Sequence, residues 1–420
     1  NNAGKSTIIE AFRVLNSTAD GPPSFTEGKR NRRAGDRVRI RMVNQTGAYK
    51  ELRTVEAGGS ETVWLYPDIP PFPKDIFVLP SRRTFAPYFS RGIADRAAYM
   101  ISYGAPAIRG SSIDNFSHRL FTSQKNRAAF DEVLARVLNP VPDWTIEQAD
   151  SGQYYLKMQY GDLFHTSDGL GEGLVSIFFI VDALYDSEPG QVIVIDEPEL
   201  SLHPALQKKL FVLLAQYACD RQIVYSTHSP YFINWEAIFN GGKVVRVHKI
   251  GHNSILSALS LDSVKGLQKL SRDLNNPHVL GLDASEVLFL EDGVVLVEGQ
   301  EDVVIYRGIA KQVGRAIRGD FYGWGVGGAE KMRAIATILR EIGFSRVVGI
   351  LDSDKASLHS RLAKEFPDYR FFMIPAPDVR DKDSRKELPK KDGLTGTGGT
   401  LYPQYQGAME RLIDSLNAVL

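Results

Sequence analysis

Residues Val192–Ile195 form an unbroken β-branched run, and the next two residues are carboxylates, Asp196 and Glu197. Such a run reads as a strand buried on both faces, the kind that occurs in parallel sheets covered by helices. It commits the chain to an α/β fold and carries two acids to the strand's C-terminal end, where open α/β sheets bind ligands. Taken alone, the stretch is equally a core strand followed by an acidic turn. Two further buried runs also end in acids: Val294–Val297 before Glu298, and Val347–Leu351 before Asp352 and Asp354. At 420 residues the chain is too long for one ordinary core, and at least two domains are expected.

The Asp196-Glu197 pair has the Walker B pattern, in which Asp196 holds Mg²⁺ on a nucleotide's phosphates and Glu197 polarises the attacking water. Three other stretches bear on that reading. The chain opens Asn1-Asn2-Ala3-Gly4-Lys5-Ser6-Thr7 and runs into an apolar helix pattern, Ile8-Ile9-Glu10-Ala11-Phe12. This matches the end of a P-loop, where backbone N–H groups cradle phosphates, a Lys reaches the terminal phosphates and a hydroxyl meets Mg²⁺. The expected nucleotide-binding residues there are Asn2, Gly4, Lys5, Ser6 and Thr7, with Ser6 joining Asp196 at the metal. The opening Gly and preceding strand of a full P-loop do not appear, so the chain reads as truncated inside this motif. A second stretch, Ile223-Val224-Tyr225-Ser226-Thr227-His228, is a buried strand ending in a histidine and resembles the switch of ABC-type ATPases; a structural His is the plain alternative. In the third, Ser167-Asp168-Gly169-Leu170-Gly171-Glu172-Gly173 precedes an apolar helix. It resembles the ABC signature loop, which presents residues such as Ser167 and Gly169 to a partner's nucleotide, and it is otherwise a Gly-rich helix cap.

Lys plus Arg and Asp plus Glu number 50 each, so any nucleic-acid site must be a local patch. One cysteine, Cys219, excludes an internal disulfide framework and fits a cytoplasmic protein. No apolar run approaches the ~20 residues of a membrane span, the best being broken by Asp182. No signal peptide is visible, and no membrane partner is expected.

From Asn16 to about Ser90, turn residues separate short β-like segments such as Val38–Val43 and Thr62–Tyr66. Lys29-Arg30-Asn31-Arg32-Arg33 with Arg37, Arg39 and Arg41 forms a basic stretch. A solvated face is its simpler account, and contact with a phosphate backbone is the other. Arg82 and Arg83, just past the strand Ile76–Leu79, are candidates to face phosphates. Residues 104–143 turn helical, with Phe116, Leu120, Phe130, Val133 and Leu134 spaced by three and four. Strands over Trp144–Tyr160 and Val244–Val247 and a helix around Leu261–Leu274 follow. The expected organisation is an ATPase domain over 1–285 with a helical insertion near 104–143, and a second domain over 286–420.

That second half carries its own chemistry. Glu298 ends one buried strand, a Gly turn through Asp302 leads into a helix over Val303–Val313, and Asp352 and Asp354 end another strand. Residues i and i+2 of an extended chain point to one side, so these carboxylates can converge beside Glu298. Hard divalent cations take such oxygen ligands, and clustered acids repel one another without one. Acids that merely end strands are the alternative.

The order Glu298-Gly299-x-x-Asp302, helix, Gly323–Gly328 and Asp352-x-Asp354 resembles the TOPRIM domain of topoisomerases, primases and nucleases. An ABC-like ATPase followed by TOPRIM resembles the OLD family of endonucleases, which includes nucleases of the Gabija and retron phage-defence systems. Glu199-Leu200-Ser201-Leu202-His203-Pro204, Ser226–Pro230 and Glu286-Val287-Leu288-Phe289 are in that family's style. The resemblance implies an ABC-type ATPase lobe with β-rich and helical insertions, joined to a mainly parallel TOPRIM sheet. It implies ATP as cofactor and two Mg²⁺ or Mn²⁺ ions, with Glu298 and Asp302 at one and Asp352 and Asp354 at the other. Glu298, Asp352, Asp354 and Glu197 are then catalytic, assisted by one of Lys382, Arg385, Lys386, Lys390 or Lys391. The implied partners are nucleic acid, DNA ahead of RNA, a second copy of the chain in a homodimer or higher oligomer, and a helicase-like or other defence subunit. The alternative is a non-cleaving, ATP-dependent DNA-binding scaffold of the SMC or recombination-mediator type.

Overall fold

The computed structural model describes residues 4–15, 22, 24–25, 37–43, 46–55, 60–65, 76–83, 85–93, 95, 116–271, 293–382, 390–396 and 398–420. The expected site residue Asn2, the basic run Lys29–Arg33, Arg385, Lys386 and the 280–291 boundary lie outside them. The chain divides into two compact units, one ending at Phe232 and the other spanning Ile233–Leu420.

The first unit is organised on a parallel sheet in which Val192–Asp196 lies between Ile76–Leu79 and Gln222–Ser226. Every residue of the central strand is buried. Alternation divides its side chains between two layers. Val192 and Val194, with Ile76 and Val78, pack against Ile9 of the helix Lys5–Leu15. Ile193 and Ile195, with Phe77 and Leu79, face the larger core built by the helices Phe116–Lys125, Arg127–Leu134, Glu172–Tyr185 and Pro204–Tyr217. The helix Glu172–Tyr185 is buried along almost its whole length, which is why its apolar run shows no polar face. Asp182, the acid that interrupts it, is paired with the equally buried Arg119 (Nη2 to Oδ1 3.1 Å). Unpaired, either charge would be prohibitive in this core. Two antiparallel sheets complete the unit, Arg39–Val43/Tyr49–Thr54/Thr62–Leu65 and Asp143–Gln148/Tyr154–Tyr160/Leu163–Thr166.

The second unit holds a four-stranded parallel sheet in the order Asp320–Phe321, Val294–Leu296, Val347–Leu351, Arg370–Met373. Val295, Val348 and Ile350 face the helices Gln300–Gln312 and Gln406–Val419. Val294, Leu296, Val347 and Leu351 face Met332–Glu341 and Ala356–Glu365. Trp235, Ile238 and Leu267 bury into that same second cluster, so residues after Ile233 join this unit ahead of the 285/286 boundary expected from sequence. The architecture is α/β, as expected. Among the described residues no helix is long and apolar enough to cross a membrane.

Candidate functional sites

The first site lies at the C-terminal end of the strand Val192–Asp196. Gly4 has φ +101°, and its carbonyl accepts from the N–H groups of Thr7 and Ile8, so the helix begins on the Gly-Lys-Ser-Thr stretch. Lys5 is thereby set at a helix N-terminus, with its Nζ 3.5 Å from His228 Nδ1. On its other side, His228 Nε2 lies 3.7 Å from Glu197 Oε1. Asp196 Oδ1 accepts the hydroxyl of Ser226 on the neighbouring strand. Burial holds the Lys5 ammonium below its ordinary value, although Glu197, Glu199 and Asp196 all pull it up.

Glu197 has φ +49°, in the left-handed region that side chains other than Gly enter at a cost of roughly 1–2 kcal/mol. Two interactions hold it there. Its N–H donates to Ser226 O (3.0 Å), and the buried Arg83 guanidinium donates to the carbonyls of Asp196 and Glu197, 2.9 Å each. Arg83 also donates to Pro80 O (2.8 Å) and Ser176 Oγ (2.7 Å). It therefore braces the acidic turn from beneath, where the sequence made it a candidate to face phosphates. Glu199, named in the sequence only as the start of a family-style stretch, had no role assigned there. Its Oε1 accepts the backbone N–H of His228, and its Oε2 is buried without a hydrogen-bond partner.

Lys5, Asp196, Glu197 and His228 are thus brought together, with Gly4, Ser6 and Thr7 on the adjoining turn. Ser167 and Gly169 lie elsewhere in the unit. The Ser167 hydroxyl donates to Leu156 O (3.3 Å) and accepts Leu156 N–H (2.7 Å), and Gly169 is exposed. The donor set fits a Mg-nucleotide: a cation at a helix N-terminus faces carboxylates that would otherwise repel one another.

The second site lies at the strand ends of the other unit. Glu298 follows the strand Val294–Leu296, and its Oε1 accepts the backbone N–H of Asp352 at 3.2 Å. A glycine loop braces this turn: Val326 N–H donates to Val297 O and Gly328 N–H to Glu298 O. Gly325 has φ +88°, and a Cβ there would stand 2.6 Å from Gly299 C. Asp302 Oδ2 accepts the Gly299 N–H (2.8 Å), fixing the start of the helix Gln300–Gln312.

The electrostatics show how crowded these acids are. Asp352 is pushed up to about 8 by burial and by Glu298, Asp302, Asp378 and Asp354. Asp302 is pushed up to about 6, by burial first and then by Glu298 and Asp378, against the Gly299 N–H. Glu298 is raised chiefly by burial. Asp354 goes the other way: burial pushes it up, but the hydrogen bond and charge of Lys391 (2.7 Å) and the charge of Lys355 (3.7 Å) outweigh that. Lys382 bonds the buried Asp378 at 2.6 Å. Asp378 and the fully buried Tyr306, whose phenol is pushed well up by burial and by these acids, were missed in the sequence. Asp378 sits on a three-residue strand, too short to stand out.

Among the described residues, no three His, Cys, Asp or Glu side chains are arranged to hold a metal ion. Asp302 is turned to the Gly299 amide and Asp354 to Lys391, so the convergence expected from the strand ends appears as mutual repulsion rather than as a coordination set. The chemistry of the donors, all carboxylates and three held above their ordinary values, nevertheless fits a hard divalent cation.

Residues 71–234, which span the strand Val192–Asp196 and His228, match the family model described as "AAA domain, putative AbiEii toxin, Type IV TA system". The chain is also 32% identical over 164 residues to OLD nuclease of Thermus scotoductus, a match covering 36% of this chain and 29% of that protein. The resemblance to OLD nucleases thus has a counterpart in a relative of that name, of whose length the chain spans under a third. Among solved structures, it is similar to an Smc head domain bound to the C-terminal domain of ScpA from Pyrococcus furiosus (TM-score 0.40, 12% identity, 65% of this chain and 92% of that one). An SmcHead bound to the C-winged helix domain of ScpA gives TM-score 0.39 and 14% identity over 64% and 90%.

Proposed function

We propose that this chain is an ATP-regulated, divalent-metal-dependent endonuclease of the OLD type, acting on DNA in anti-phage defence as a dimer or higher oligomer. The observation that carries the reading is the cluster of Glu298 and Asp352, which follow neighbouring parallel strands, with Asp302 on the adjoining helix and Asp378 nearby, crowded enough to push Asp352 up to about 8. Acids in such numbers are costly unless a cation neutralises them.

Glu298, Asp302, Asp352 and Asp354 would hold the metal, which supplies charge stabilisation to the attacking and leaving oxygens of a phosphodiester displacement. The chain's own residues set the stage. The buried strands and the Gly323–Gly328 loop fix the Glu298 and Asp352 backbones. Lys391, now on Asp354, and Lys382, on Asp378, are the cations at hand to meet a phosphate. In the other unit, Lys5 and the helix N-terminus would bind phosphates, Ser6 and Asp196 would hold Mg²⁺, and Glu197 would orient water. Ser167 and Gly169 would close the site from a second copy.

A non-cleaving, SMC-type scaffold is the competing reading, and the engagement of Asp354 by Lys391 favours it. Incubation with supercoiled DNA, linear DNA and RNA under Mg²⁺ or Mn²⁺, with and without ATP, separates the two. Metal-dependent cutting is expected, and its absence under every condition would leave the scaffold.

A further inference from the structure

The antiparallel sheet Arg39–Val43/Tyr49–Thr54/Thr62–Leu65 has two unlike faces. Met42 on one side packs toward the core around Ile9, and Leu52, paired with Ile40, is fully buried. The other face carries Arg39, Arg41 and Arg53, all exposed, with exposed Arg37 two residues ahead in the same alternation. Of the four guanidiniums, two, those of Arg39 and Arg41, share one carboxylate. Glu51 is buried beneath them, its Oε2 2.8 Å from Arg39 Nη2 and 3.8 Å from Arg41 Nε. The Arg41 guanidinium lies 3.8 Å over the Tyr49 ring, which holds its planar fork in place.

Arg39 stands directly across the ladder from Arg53. Like charges so placed are destabilising, by roughly 0.2–1 kcal/mol, and a face kept only for solubility mixes its signs. Arginine is also the cation whose fork matches a phosphate bidentately. We propose that this face binds the phosphate backbone of duplex DNA, the substrate of the nuclease read above, on which the inference rests. The contacts are with backbone rather than bases, so they add affinity without sequence preference.

The test is the affinity of the full chain for a short labelled duplex of random sequence, measured by anisotropy in EDTA across a salt series. Arg37 and Arg53 are the residues to change, because neither has an ion-pair partner among the described residues. Each lost phosphate contact lowers the slope of log K against log salt by about 0.9. The Arg37→Ala/Arg53→Ala variant should therefore lose affinity equally on unrelated sequences and lose about 1.8 of slope, while Arg53→Lys keeps its share. Unchanged thermal unfolding and Mg-ATP binding would show that the fold is intact. Wild-type affinity and slope in the double variant would overturn the surface while leaving the nuclease reading in place. A wild-type chain that binds no duplex DNA would overturn both, and losses confined to duplex RNA would overturn the DNA assignment.

Discussion

Arg83 donates to the carbonyl of Glu197 at 2.9 Å, so the residue read as orienting the attacking water has its backbone held by a buried cation from a different strand end. The same guanidinium reaches Asp196 O and Ser176 Oγ. Arg83→Lys keeps the charge but cannot fork to both carbonyls, and buried acceptors left unpaired cost about 1–3 kcal/mol each. The expected outcome is a stability loss of roughly 2–4 kcal/mol in denaturant unfolding. ATP turnover should fall about tenfold or more as the left-handed turn at Glu197 relaxes. Turnover unchanged in a destabilised variant would mean that the turn holds without its brace.

Lys5 sits among Asp196, Glu197, Glu199 and His228. Charge-assisted bonds to phosphate contribute about 1.5–3 kcal/mol. Lys5→Ala should therefore weaken Mg-ATP binding by roughly 10- to 100-fold in calorimetric titration. Equal affinity in both proteins would remove Lys5 from the nucleotide site.

Glu298→Gln and Asp352→Asn keep shape and remove charge at the two central strand ends. Each should abolish Mg²⁺- or Mn²⁺-dependent cleavage, a loss of at least about 10²-fold, with Mg-ATP binding retained. Either variant cutting at the wild-type rate would end the nuclease assignment.

Stability should also depend on pH through the acid cluster. A carboxylate raised in the folded state contributes stability that is fully present below its unfolded value, near 3.9 for Asp, and is lost as pH rises through the folded one. With Asp352 at about 8 and Asp302 at about 6, the metal-free protein should lose stability as pH climbs from about 4 to about 8. Asp352→Asn should flatten the upper part of that slope, and Mg²⁺ should offset the loss. Thermal unfolding across pH with EDTA or Mg²⁺ checks it, and a slope identical in wild type and variant would refute it.

The strands Val192–Asp196, Val294–Leu296 and Val347–Leu351 were legible because strands buried on both faces write themselves as apolar runs, and the acids ending them came with the pattern. Lys5 and His228 were legible through spacing. Arg83 was noticed, but a guanidinium facing phosphate and one facing carbonyls look alike in sequence. Glu199 and Asp378 act through partners far along the chain, Ser167 is tied to Leu156 rather than held out on a loop, and no local pattern announces such pairings. Trp235, Ile238 and Leu267 show the same limit: their apolar side chains call for burial, but nothing local says in which core.

The contact between Gly325 and Gly299 has a consequence for any survey of which positions this protein can vary. An Ala scan that scores chemistry by side chain would pass over Gly325, which has none to remove. Yet adding one methyl group there would push the Gly299 backbone and, with it, the carboxylate one residue earlier. Part of the acid site's specification is therefore written as an absence of atoms, and it would surface in functional data as an intolerant glycine with no chemical role of its own.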